Sequence, residues 1–223
     1  MIISEAKIRG IDLIAITDHN ASANIHAVQK AALGTGVIVL PGMELQTKEE
    51  VHVLCLFDTL DQIENFQRIV DQKLPSIKNR PDFFGEQLVV DEFGDFIRKE
   101  ERLLITSAAI SINEAFKLVD DLGGMLIPAH INRKVNGLLE ILGFIPADIP
   151  FPALELSRHL SPKAAREKFP QTGEFELIQN GDVHRLSEFI GTTTFTLEKP
   201  SINEIKLALK SEHNRSYVVH SIN

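Results

Sequence analysis

The alternation of short, β-branched apolar runs with longer segments of helical period is the feature that most restricts what this chain can become. Seven such runs, at residues 11–17 (IDLIAIT), 37–40, 51–57 (VHVLCLF), 125–128, 153–156, 176–179 and 192–195, alternate with helical patterns at 21–33, 60–74, 112–121, 135–142, 162–169 and 202–210. Runs this short are strands, and the helical segments supply the crossovers that parallel strands need. The expected fold class is α/β: a mostly parallel sheet or barrel wrapped by helices. Punctuation agrees with these boundaries. Ser111 and Ser201 each stand three residues before a glutamate, Glu114 and Glu204, in the capping-box relation, and Gly34, Gly36, Gly123 and Gly124 mark helix ends before strands.

Two segments depart from the alternation. Residues 78–102 (KNRPDFFGEQLVVDEFGDFIRKEER) are charged, hold paired phenylalanines and read as an insertion over the body. Residues 1–10 carry apolar side chains at 2, 3, 6 and 8 with a glycine at 10, the latter part of an amphipathic helix with no strand before it. A chain of 223 residues, 43% of them hydrophobic, can bury one sizeable core, so a single domain over 1–223 with an insertion at about 78–102 is expected.

Composition narrows the function classes. The formal charge is −8 with Lys and Arg scattered, so the basic stripe that captures duplex phosphates is absent, no duplex nucleic-acid partner is expected, and any nucleic acid handled would be in small pieces. No apolar run approaches a membrane span and no signal peptide is legible, so no membrane partner is expected. The lone Cys55 excludes an intramolecular disulfide and points to a reducing, cytoplasmic compartment.

The polar residues fall in a pattern. His19, His130 and His184 lie just past apolar runs, His52 lies within one, and Glu44 and Asp182 follow VIVLPGM and ELIQNG. In a parallel α/β barrel the C-terminal strand ends open on one face, so these six residues would converge. Imidazoles with carboxylates form a donor set suited to Zn, Mn or Fe. His26, His213 and His220 read as surface residues, and His159 follows another strand end with its side undecided.

The motifs ITDHN (16–20), PGMEL (41–45), EVHVLCLF (50–57), IPAH (127–130) and GDVH (181–184) carry a resemblance to the PHP (polymerase and histidinol phosphatase) family of metal-dependent phosphoesterases, extending from about Ile11 to about Ile190. The resemblance implies a distorted β/α barrel of about seven strands with up to three divalent metal ions in its mouth. It implies Glu44 as a carboxylate bridging two metals, His52 and His130 as ligands of the second, Asp182 as a ligand of the first, and His19 and His184 as ligands of the third. Asp18 would orient a metal-bound imidazole. Arg133 and Arg158 are candidates to grip substrate phosphate oxygens.

One departure stands against the match: the family's opening strand carries a His-x-His pair, and this sequence has none. The fold expected is therefore a PHP barrel missing its first strand, either because Met1 is an internal methionine of a longer protein or because the chain is a shortened variant, with fewer than three metals held. The activity implied is hydrolysis of a small phosphomonoester, nucleotide or oligonucleotide by a metal-activated water. The alternative is a catalytically impaired PHP-fold binding or regulatory module with a partial metal site.

Overall fold

A computed structural model describes residues 1–220. The elements run α1 (Ile2–Ile8), β1 (Leu13–Ile16), α2 (Ile25–Ala32), β2 (Ile38–Gln46), β3 (His52–Leu56), α3 (Leu60–Lys73), α4 (Pro81–Phe84), β4 (Leu88–Val90), β5 (Phe96–Lys99), α5 (Ile112–Asp121), β6 (Met125–Pro128), α6 (Leu138–Leu142), β7 (Leu154–Leu156), α7 (Pro162–Lys168), β8 (Leu177–Gln179), β9 (Thr193–Thr196), α8 (Ile202–Leu209) and β10 (Ser216–Val219). Each expected apolar run forms a strand. The insertion adds α4 and the β4–β5 hairpin, and the polar segment near the C-terminus adds β10.

The capping box at Ser111 closes in both directions: its hydroxyl accepts from Glu114 N–H, and Glu114 Oε2 accepts from Ser111 N–H at 2.7 Å. At Ser201 only half of it forms. Ser201 accepts from Glu204 N–H, but the Glu204 carboxylate turns to Arg215 Nε (2.8 Å) and Glu198 N–H (2.9 Å).

Strand directions correct the expectation of a mostly parallel barrel. One sheet has the order β1-β2-β3-β6, and the remaining strands pair as β7-β8, β9-β10 and β4-β5, with no closed barrel among the described residues. Among the described strands only β1 with β2 and β7 with β8 pair parallel; β2 with β3 and β3 with β6 are antiparallel. The cause is the short connection at residues 47–51, where Thr47 N–H bonds Val51 O (2.9 Å) and Glu50 takes a positive φ of 66°. A link that short makes a hairpin, whereas a parallel return needs a crossover of a dozen residues or more.

Period-two alternation divides the four-stranded sheet between two cores. Val39, Met43 and Leu45 of β2, Val53 and Cys55 of β3 and Leu126 of β6 join the larger core, which includes Ile25 of α2, Phe66 of α3 and Ala115 of α5. Leu40, Leu56, Met125 and Ile127 face the other way, toward Ile178 of β8 and Ile202 and Ile205 of α8. That second face lines a cleft of ≈ 1110 Å³ whose polar end holds His19, Glu44, Asp182 and His184.

Candidate metal centre

The reversal of β3 builds the site. In the antiparallel register Gln46 at the end of β2 stands opposite His52 at the start of β3, and Val53 stands opposite Pro128 at the end of β6. One strand's N-terminal end and two strands' C-terminal ends therefore share an edge. This is why His52, which opens its strand, meets His130, which follows one. The loop after β1 continues the pairing, with His19 bridged to Glu44, Asn20 N–H on Glu44 O (3.0 Å) and Glu44 N–H on Asp18 O (3.2 Å).

Glu44 is the hub and is buried. Its Oε1 lies 3.0 Å from His52 Nδ1 and 3.1 Å from His130 Nε2, while Oε2 lies 3.2 Å from His19 Nδ1. One donor atom from each of His19, Glu44 and His52 falls within 4.8 Å of the others. His130 adjoins His52 with ring centroids 5.3 Å apart.

The electrostatics follow from burial and contact. Burial would raise the Glu44 carboxyl, but hydrogen bonds with His130 and His52 and the nearness of His19 outweigh it and hold the group well below the usual carboxylate range. Burial lowers His19, against the pull of Glu44. Burial opposes protonation of His130 too, yet its hydrogen bond to Glu44 prevails and the net direction is upward. An ionised carboxylate beneath imidazoles is the charge state that a divalent cation needs.

Asp182 and His184 stand on the neighbouring wall. Asp182 takes a positive φ of 44°, and its Oδ2 faces Arg133 Nη2 at 2.5 Å. His184 is largely exposed, with Nδ1 3.1 Å from Asp182 O and its ring 6.3 Å from that of His19. His19 Nδ1, His130 Nδ1 and Asp182 Oδ2 are buried without a well-aligned hydrogen bond among the described residues. Buried polar atoms normally have partners. The buried His19 Nδ1, lying against Glu44 without a well-aligned hydrogen bond, fits a divalent metal ion, as does the donor chemistry of His and Glu.

Three expected site residues have partners of their own. Asp18 Oδ2 accepts from Asn24 Nδ2 at 3.0 Å, because the turn after β1 directs it toward the start of α2. Arg133 and Arg158 do not stand free for phosphate; Arg133 is paired with Asp182, and Arg158 with Glu188 Oε1 at 3.3 Å. His26, His159, His213 and His220 are exposed.

Two residues at the site went unread in the sequence. Glu155 of β7 is fully buried and pushed up to about 7, chiefly by that burial. Its Oε2 accepts the His130 backbone N–H (2.9 Å) and its Oε1 accepts from Asn180 Nδ2 (2.8 Å), so it braces His130 in its strained φ of 29°. An acid inside the apolar run ALEL was the available signal. Asn136 contacts His52 directly, and the Asn-Gly step at 136–137 was its only mark.

No protein-family model matches the chain, and no curated protein sequence does. Solved structures do. The lesion-specific endonuclease PfuEndoQ from Pyrococcus furiosus superposes with a TM-score of 0.65 at 19% identity, over 97% of this chain and 52% of that one. Endonuclease Q in complex with a 27-mer duplex bearing an abasic lesion at its active site gives 0.68 at 19% identity, over 96% and 52%. A protein from Bifidobacterium adolescentis, assigned as a metal-dependent phosphoesterase, gives 0.54 at 16% identity, over 90% and 83%.

The chain thus spans about half the length of the endonuclease Q chains it matches. At these identities the likeness establishes the fold, a PHP-like mixed α/β arrangement. The reading that excluded duplex nucleic acid is corrected, because a neighbour with this fold holds a DNA duplex. Net charge over a whole chain does not report the field at one cleft. No helix among the described residues is long and apolar enough to cross a membrane.

Proposed function

We propose that the chain is a metal-dependent phosphoesterase, with His19, Glu44, His52, His130, Asp182 and His184 holding divalent ions of the zinc, manganese or iron type. The observation that carries this reading is the convergence of three imidazoles on the two oxygens of the buried, ionised Glu44. A divalent ion held there supplies Lewis acidity, offsetting charge on phosphoryl oxygens and acidifying water. Glu44 contributes fixed negative charge, and Glu155 holds the His130 backbone. The cleft opening beside the centre receives the ester; Arg133, paired with the cleft residue Asp182, and Arg158, paired with Glu188, are able to exchange these carboxylates for phosphate oxygens. The likeness to endonuclease Q favours a nucleotide or nucleic-acid phosphodiester over other phosphate esters.

A second reading, a metal-binding regulatory module without turnover, draws on the Arg133–Asp182 pair, in which a guanidinium already neutralises one proposed ligand. Elemental analysis after Mn²⁺ loading, combined with hydrolysis of p-nitrophenyl phosphate, bis-p-nitrophenyl phosphate and a fluorescent oligonucleotide duplex, separates the two. Metal-dependent turnover of any of these supports the enzyme. Bound metal with no turnover favours the module, and no bound metal overturns both.

A further inference from the structure

Asn136 approaches His52 at two points: its side-chain Nδ2 lies 2.5 Å from His52 Nε2, and its backbone carbonyl accepts the His52 N–H at 2.9 Å. The other ring nitrogen, Nδ1, faces Glu44 Oε1 at 3.0 Å. His52 is thus held at both ring nitrogens and at its backbone, whose carbonyl also accepts from Ala129 N–H at 3.0 Å.

The loop that delivers Asn136 is built for that approach. It leaves β6 through His130 at φ 29° and arrives at Asn136 at φ 59°, a left-handed value that asparagine tolerates better than most residues. Gly137 follows because a Cβ there would lie 2.2 Å from the Arg133 carbonyl oxygen. The same short loop therefore carries His130 to Glu44 and Asn136 to His52.

A neutral imidazole has one N–H and one lone pair. With the Asn136 amide nitrogen toward Nε2, the tautomer that fits both contacts has Nε2 accepting and the proton on Nδ1, facing Glu44. A cation on Nδ1 demands the opposite tautomer, with the proton on Nε2, which then needs an acceptor. Rotating the Asn136 carboxamide by half a turn presents Oδ1 to that N–H. The exchange is balanced: Nδ1 releases one proton to solvent and Nε2 gains one.

We infer that Asn136 is a positioning residue which selects the His52 tautomer, favouring Nδ1–H through its amide N–H, or Nε2–H through Oδ1, which leaves Nδ1 open to a metal ion. This rests on the phosphoesterase reading for its metal but concerns a residue that reading does not use. An aspartate at 136 accepts from Nε2–H without rotating, whereas glycine keeps the left-handed backbone and removes the side chain.

The test uses the full chain, Mn²⁺ or Zn²⁺ titrated by calorimetry, and the ring ¹⁵N shifts of His52 with and without Zn²⁺. Wild type is expected to change from the Nδ1–H to the Nε2–H form on loading. Asn136→Gly is expected to bind metal about 10–100-fold more weakly, the usual cost of losing a partner to a metal-bound histidine. Asn136→Asp is expected to restore affinity to the wild-type level or above. Glycine binding as tightly as wild type, aspartate binding as weakly as glycine, or an unchanged His52 tautomer would overturn the role of Asn136 while leaving the metal centre standing. Wild type failing to bind any metal would overturn both readings.

Discussion

Glu44 Oε1 lies 3.1 Å from His130 Nε2, joining residues 86 positions apart across β2 and the end of β6. Glu44→Gln keeps the shape and removes the charge that the three imidazoles share. Metal affinity is expected to fall by about 100-fold or more, beyond the range typical of losing an outer partner. Far-ultraviolet circular dichroism should stay unchanged, since the backbone pairing of Glu44 is retained. Metal stoichiometry equal to wild type by elemental analysis would contradict Glu44 as hub.

Loading the centre should stabilise the whole chain, because the donors converge only in the folded state. An ion present at 100 times its Kd adds about 2.7 kcal/mol. For a chain of this length, that raises Tm by about 5–10 °C. Differential scanning calorimetry with Mn²⁺, then with excess chelator, checks it; a Tm that ignores both would show that no cation is bound.

Much of this was legible in the sequence, and the rest was hidden for identifiable reasons. The apolar runs found their strands; His19, His130 and His184 with Glu44 were visible as polar breaks at run ends, and His52 as one within a run. The direction of β3 was not visible from hydrophobicity, which reads the same either way, although the missing helix between residues 40 and 51 held the clue. β10 was missed because Ser216, Tyr217, Val218 and Val219 pair only with β9 at an edge and leave half their side chains in solvent. The partner of Asp18 was not visible either, because a turn residue's direction is set by its local contact, here Asn24.

The Glu204–Arg215 pair gives a pH prediction away from the centre. Glu204 is drawn down chiefly by its hydrogen bonds from Arg215, so its folded-state pKa lies below its unfolded value. Its contribution to stability is complete above the unfolded value and fades as pH falls through the lowered folded value. The Tm difference between wild type and Glu204→Gln should therefore be full at pH 7 and shrink in acid. A difference that stays constant down to pH 3 would show that the charge contributes nothing.

Gly124, between α5 and β6, has no room for a side chain. A Cβ there would lie 2.6 Å from Phe57 Cε1 and 2.7 Å from Leu56 O, the first a fully buried ring and the second backbone. Gly124→Ala should cost about 1–3 kcal/mol from overpacking, lowering Tm by about 3–10 °C. Urea unfolding with an unchanged m-value would place the loss in the native packing; an equally stable variant would show that the ring can shift.

Arg133 and a metal ion are expected to compete for the same carboxylate. Its guanidinium faces Asp182 Oδ2, a buried oxygen with no other partner among the described residues. Arg133→Ala leaves that charge uncompensated, so a cation there becomes the better partner. The variant should bind Mn²⁺ more tightly, by about 3–10-fold if the pair is worth about 1 kcal/mol at its partly exposed position. It should also bind inorganic phosphate more weakly once loaded, because one charge for gripping phosphoryl oxygens is gone. Calorimetric titration with Mn²⁺ and then phosphate measures both. Weaker Mn²⁺ binding in the variant would mean that Arg133 supports the centre rather than competing with it.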